Sequence, residues 1–96
     1  MIELETLRER LLKDPEVQAE YDRLGPLYEL VGALVDARHQ AGLTQVEIAR
    51  RMGTTQSVVA RLEKARHMPS LDLVTRYARA VDRRVTFGLA PREQAG

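Results

Sequence analysis

The chain has 96 residues, no cysteine, and 15 basic against 14 acidic side chains, for a formal net charge of +1. That length suits one domain with a modest core. The missing cysteine excludes disulfide scaffolds, thiolate zinc sites and cysteine nucleophiles, and allows a reducing compartment. The total charge conceals a split. Residues 1–36 hold four basic and nine acidic side chains, net −5, and residues 37–96 hold eleven and five, net +6. Such asymmetry points to a nucleic-acid or polyanion partner on the basic side. Hydrophobic residues make up 44 % of the chain, too many for a disordered polyelectrolyte. Uninterrupted apolar runs are too short to span a membrane. No basic segment precedes an apolar stretch at the N-terminus, so no secretion signal is expected and the cytoplasm is the expected location. One Phe, three Tyr and no Trp argue against a base-stacking platform for single strands.

In chain order, Leu4, Leu7, Leu11 and Leu12 fall at helical spacing. Asp14-Pro15 reads as an N-cap followed by proline at the first helical position, with Val17, Tyr21 and Leu24 on one face. Gly25-Pro26 is expected to stop that helix. Leu27, Leu30, Val31, Leu34 and Val35 then form the stripe of a core-facing helix from Pro26 to about Gln40. Thr44-Gln45-Val46-Glu47 is a capping box opening a short helix that ends at Met52, with Gly53 beyond it. Thr54 or Thr55 caps a second short helix through about Lys64. Ser70 caps a third, whose stripe is Leu71, Val74, Tyr77, Ala78 and Val81. In the tail, Val85, Phe87 and Leu89 alternate with Thr86 and Gly88, which predicts one strand. A lone strand needs a partner, which is the extreme N-terminus, a symmetry mate or another protein's sheet edge; Val85, Phe87 and Leu89, together with the last helix, are the expected self-association elements. The predicted fold is an all-α helical bundle with a helical extension over 1–25, a DNA-binding domain over 26–82, and a strand and tail over 83–96.

Residues 44–63 carry the functional signal. Two short capped helices flank Gly53-Thr54, with Ile48, Ala49, Met52, Val59 and Leu62 available to pack between them. This is the pattern of a helix-turn-helix, whose second helix enters the DNA major groove. Residues at the start of that helix reach base edges, which nominates Thr55, Gln56 and Ser57, with Ala60 and Arg61 one turn on. Gln56 has the donor–acceptor pair that grips adenine, Arg61 can take guanine or a phosphate, and Ala60 can touch a thymine methyl. Arg38, Thr44, Gln45, Lys64 and Arg66 are the expected phosphate contacts, Gln45 at a helix N-terminus whose amides favour anions. Thr44 and Thr55 are also caps. Glu63 is expected to be a structural carboxylate paired with an arginine. Arg50, Arg51, Arg76, Arg79, Arg83 and Arg84 are expected mainly on the solvated surface.

The string LTQVEIARRMGTTQSVVARLEKARHMPSLDLVTRYARAV, residues 43–81, resembles the XRE (Cro-type) helix-turn-helix family. The resemblance rests on the LTQ opening, the Ala49–Gly53 spacing, Gln56-Ser57, Arg61-Leu62-Glu63 and Pro69-Ser70-Leu71. It implies base reading by Gln56, Ser57 and Arg61, and phosphate or base contacts by Gln45 and Thr55. Two positions depart from the pattern: Ala65 where glycine is common, and Val58 where a polar residue is common. Residues 14–38 are similar to the segment preceding the motif in HigA-type antitoxins. That similarity implies a repressor of its own operon that also blocks a small RelE-like ribonuclease toxin. A basic toxin would suit the acidic N-terminal segment, so Leu4, Leu7, Leu11, Val17 and Tyr21 are the expected toxin-binding residues. One such module has a small footprint, so a homodimer on a palindromic double-stranded operator, with half-sites about 34 Å apart, is expected. A stand-alone XRE regulator and a mainly protein-binding antitoxin remain open. His39 and His67 lack a metal-ligand or catalytic pattern, and no phosphate loop or nucleophile elbow occurs. No enzyme activity, cofactor or metal is expected.

Overall fold

Every helix begins where a short polar side chain takes up a free amide of the first turn. The computed structural model describes residues 14–92. Helix α1 spans Pro15–Gln40, and the Asp14 carboxylate accepts from the Glu16 amide at 2.9 Å. Helix α2 spans Gln45–Met52 behind the Thr44 capping box, in which Thr44 Oγ1 accepts from the Glu47 amide at 3.1 Å and Glu47 Oε1 accepts from the Thr44 amide at 3.2 Å. Helix α3 spans Gln56–Glu63 behind Thr55, and α4 spans Leu71–Ala80 behind Ser70, each cap accepting from the amide three residues on.

The core lies where the four described helices meet. Leu34 from α1, Ile48, Ala49 and Met52 from α2, Val59 and Leu62 from α3, and Val74, Tyr77 and Ala80 from α4 form one buried cluster. Ile48, Val59 and Tyr77 are fully buried. The stripe expected on α1 is present, with Leu27, Val31 and Leu34 buried and Leu30 and Val35 half-buried. In the stripe expected on α4, Leu71 departs from the rest. It is 58 % exposed, because it occupies the first turn of α4, beyond the reach of the cluster.

Two expectations about backbone path are corrected. Gly25-Pro26 does not end a helix, and α1 continues through Pro26. Proline costs one backbone hydrogen bond and a ring clash, about 3 kcal/mol in a helix interior. Here its ring faces solvent, and Leu27, Val31 and Leu34 anchor the helix just beyond it. The second correction concerns the tail. Residues 83–92 form no strand, so Val85, Phe87 and Leu89 are not paired into a sheet. Nothing among the described residues offers an edge, and a single extended segment cannot satisfy its own ladder.

Between α2 and α3 the chain turns at Gly53, whose φ of +71° is in the left-handed region. Its amide reaches Arg50 O at 3.2 Å, and the Thr54 amide reaches Ala49 O at 2.9 Å, closing the helix end. After α3 the same region is occupied by Ala65, with φ +55°. A Cβ there costs of order 1 kcal/mol. Ala65→Gly is therefore expected to stabilise the fold by about 0.5–1 kcal/mol, read as a higher urea midpoint at unchanged slope.

Candidate nucleic-acid interface

Burial fixes how α3 is turned. Val59 and Leu62 point into the core, and Val58 is half-buried beside them, packing rather than reading DNA. The opposite face is left outward. Gln56, Ser57 and Arg61 are exposed and Ala60 is half-exposed. These four line one open concavity of about 400 Å³, together with Lys64, Arg66 and His67. The concavity has no acidic lining. Arg61, Lys64 and Arg66 make no ion pair among the described residues. The structure thus brings four of the five expected base readers together with two expected phosphate contacts. The fifth, Thr55, uses its hydroxyl as the α3 cap. His67 was not among the expected contacts, since its position depends on how the loop after α3 folds back.

A polar network sets the height and tilt of this face. Glu63, the last residue of α3, has a side chain only 8 % exposed. Arg38 of α1 donates to it through Nε and Nη2, both at 2.8 Å, in a bidentate pair. Tyr77 Oη donates to Glu63 Oε2 at 2.8 Å, and Gln45 Nε2 donates to Oε1 at 3.1 Å. Gln56 Nε2 in turn donates to Gln45 Oε1 at 2.8 Å. One carboxylate therefore links α1, α2, α3 and α4, and through Gln45 it holds the first residue of α3.

The charge states follow from these contacts. Burial by itself would raise the Glu63 pKa. The hydrogen bonds from Arg38, Gln45 and Tyr77 outweigh it and hold the carboxyl below its ordinary range. The hydrogen bond to Glu63 raises Arg38, against some opposing desolvation. Burial and donation to the carboxylate push the Tyr77 phenol well above its ordinary value.

This network corrects one expected phosphate contact. Arg38 has a side chain 11 % exposed, and its remaining Nη1 donates to Leu43 O at 3.0 Å. Its donors are committed inside the protein, so it positions α3 rather than gripping DNA. Glu63 is the structural carboxylate that its sequence context suggests. Thr44 and Gln45 stand at the N-terminus of α2. The Thr44 hydroxyl is engaged with Glu47, and the Gln45 amide bridges Glu63 and Gln56. Two further arginines also work internally. Arg51 Nη1 donates to Ala80 O at 3.0 Å, and Arg76 Nη2 donates to Met52 O, so each closes the C-terminal end of another helix. Of the expected toxin-binding residues, Leu4, Leu7 and Leu11 lie outside the described residues. Val17 and Tyr21 belong to α1, with side chains outside what is described. Among the described residues, no helix is long and apolar enough to cross a membrane.

Two capped helices crossing at a left-handed glycine, the second presenting an outward polar and basic face, define a helix-turn-helix protein. The chain belongs to the helix-turn-helix family, which matches residues 34–87. It is similar to Antitoxin HigA1 from two strains of Mycobacterium tuberculosis, at 37 % identity over 83 residues, 86 % of this chain and 56 % of each relative. The chain therefore spans little more than half the length of these relatives. An HTH-type transcriptional regulator of Methanothermobacter thermautotrophicus is 50 % identical over 46 residues, 48 % of this chain and 67 % of that protein. No solved structure matches the chain.

Removing one member of the largely enclosed Arg38–Glu63 ion pair strands the other. Arg38→Ala and Glu63→Gln are each expected to destabilise the fold by about 3 kcal/mol in urea denaturation. The sign of the pH dependence follows from the lowered Glu63 pKa. Its contribution is complete above the unfolded-state carboxylate pKa and is lost as pH falls through the lower folded-state value. Acid titration of stability should be shallower in Glu63→Gln than in the wild type.

Proposed function

We propose that the chain is a sequence-specific DNA-binding repressor that also acts as an antitoxin, binding and neutralising a small basic RelE-like ribonuclease toxin and repressing its own operon as a homodimer. The observation that carries DNA binding is the concavity on α3, where Gln56, Ser57 and Arg61 stand beside Lys64 and Arg66, with no acidic lining and no ion pair to these cations among the described residues. A helix with polar readers at its start and cations at its end suits the major groove. Gln56 would take adenine, and Arg61 would take guanine or a phosphate. Ser57 and Ala60 would contact neighbouring edges, while Lys64 and Arg66 would engage the backbone. Thr44, Gln45 and Thr55 would approach phosphate through helix N-termini. Similarity to two antitoxins supports the toxin-binding half of this reading, with Leu4, Leu7, Leu11, Val17 and Tyr21 as its surface. The described part of that segment is acidic, carrying Asp14, Glu16, Glu20 and Asp22 against Arg23, which suits a basic partner. The reading divides the chain into a toxin-binding extension, the DNA-binding domain and a self-associating tail.

Mobility shifts on the promoter upstream of the gene, with and without the co-expressed product of the adjacent reading frame, test both halves. Gln56→Ala and Arg61→Ala should each weaken specific operator binding by about 1–3 kcal/mol while the fold is retained. Full specificity in both variants would refute the docking of α3. Lys64→Ala should weaken binding to all sequences alike and lower the salt slope by about one. Leu7→Glu with Leu11→Glu should reduce toxin capture in a pull-down and leave operator affinity intact. Capture at wild-type strength would place the toxin surface elsewhere.

A further inference from the structure

The loop after α3 carries a group that the DNA contacts named so far leave out. The Lys64 amide closes α3 on Ala60 O at 3.2 Å, and the Ala65 amide reaches Leu62 O at 3.2 Å. Ala65 then takes φ +55°, in the left-handed region, and the chain folds back. The reversal brings Arg66 and His67 into the lining of the same concavity as Gln56, Ser57 and Arg61. His67 is exposed, and its ring has no hydrogen bond or ion pair among the described residues. The other charged groups lining the concavity are Arg61 and Lys64 from α3 and Arg66 from the loop, while α1, α2 and α4 contribute none. No carboxylate lines it, so a charged imidazole there meets its anion in the ligand.

We propose that His67 is a further phosphate contact, made by its protonated form, so that DNA binding by this chain takes up a proton. This rests on the reading of the α3 concavity as the DNA-binding face, and it adds to that reading a residue and a pH dependence. A neutral imidazole has one N–H to donate. The imidazolium has two and a full charge, and only the charged form displaces a counterion from the duplex. A phosphate beside the ring favours the charged form. Linkage is reciprocal, so a proton on the ring favours the phosphate by the same factor. Histidine is the side chain that changes charge between about pH 5 and pH 8, whereas arginine and lysine ordinarily titrate well above that window. The groups that aim α3 keep one state across it, since Glu63 is held below the ordinary carboxylate range and Tyr77 above the ordinary phenol range. His39, the chain's other histidine, sits in the last turn of α1 and does not line the concavity. His67 is thus the group in this site whose charge the pH sets.

Fluorescence anisotropy at about pH 5.5 and about pH 8 tests this, on a duplex covering the promoter upstream of the gene and on a scrambled duplex of equal composition. The wild-type chain should bind both duplexes about two- to fivefold more tightly per protomer at the lower pH. Its salt slope should steepen by about one over the same interval, the mark of one more phosphate contact. His67→Gln should hold the weaker affinity and the shallower slope at both pH values. His67→Arg should hold the tighter affinity and the steeper slope at both. His39→Gln should keep the wild-type response. All three variants alter exposed side chains, so the circular-dichroism spectrum should be unchanged. A His67→Gln chain with the wild-type pH response, or a His67→Arg chain no tighter than His67→Gln at the higher pH, would overturn the proposal and leave DNA binding standing. Loss of the response in His39→Gln would assign the proton to the other histidine and overturn it as well. Binding to neither duplex at either pH would remove the DNA reading, and this inference with it.

Discussion

The part-buried Glu63 carboxylate is the constraint around which the rest of the described structure is arranged. An ionised group taken from water must be matched by charge and by hydrogen bonds, or the fold loses several kcal/mol. Glu63 is matched by both: a bidentate arginine from α1, a tyrosine hydroxyl from α4 and a glutamine amide from α2. A buried pair of this kind is no stronger in net stability than a well-packed apolar cluster. What it adds is direction. An apolar contact tolerates rotation, whereas a planar guanidinium facing a carboxylate accepts little. The last residue of α3 is therefore fixed in orientation, and Gln45 passes that order on to Gln56 at the first.

The same network sorts the basic residues by use. The +6 of residues 37–96 suggests one broad cationic surface. In the fold, Arg38 is consumed by Glu63, and Arg51 and Arg76 reach the carbonyls that end other helices. The cations on the α3 face are Arg61, Lys64 and Arg66, three side chains with no acidic neighbour in their concavity. A focused site of this size suits recognition by a few base contacts with modest phosphate attraction, and it leaves affinity to be gained by pairing two copies.

The acidic half is joined to this reading head without a break. Because α1 runs from Pro15 through Pro26 to Gln40, the residues that flank the N-terminal segment and the arginine that holds α3 share one helix. The tail leaves the other side of the core beside the same helix, at the groove that α1 shares with α4.

Local features were legible from the sequence because their causes are local. A capping box needs only Thr44 and Glu47 three residues apart, a glycine turn needs only Gly53, and the apolar spacing of Ile48, Val59, Leu62, Val74 and Tyr77 depends on helical period alone. The composition of the α3 face followed from those, because a helix with one side in the core must offer the other to solvent. The fate of Arg38 did not follow. Its partner is twenty-five residues away, and only the packing of α1 on α3 decides whether a guanidinium meets a carboxylate or water. Pro26 and the tail depart from their local sequence pattern for the same reason. Anchoring beyond a proline and the lack of a neighbouring edge are properties of the assembled core. Sequence alone determined that two capped helices meet at a glycine and that their exposed face is polar and basic. Tertiary structure decided which cations remain free to act, since burial and non-local hydrogen bonds determine which charges are already neutralised.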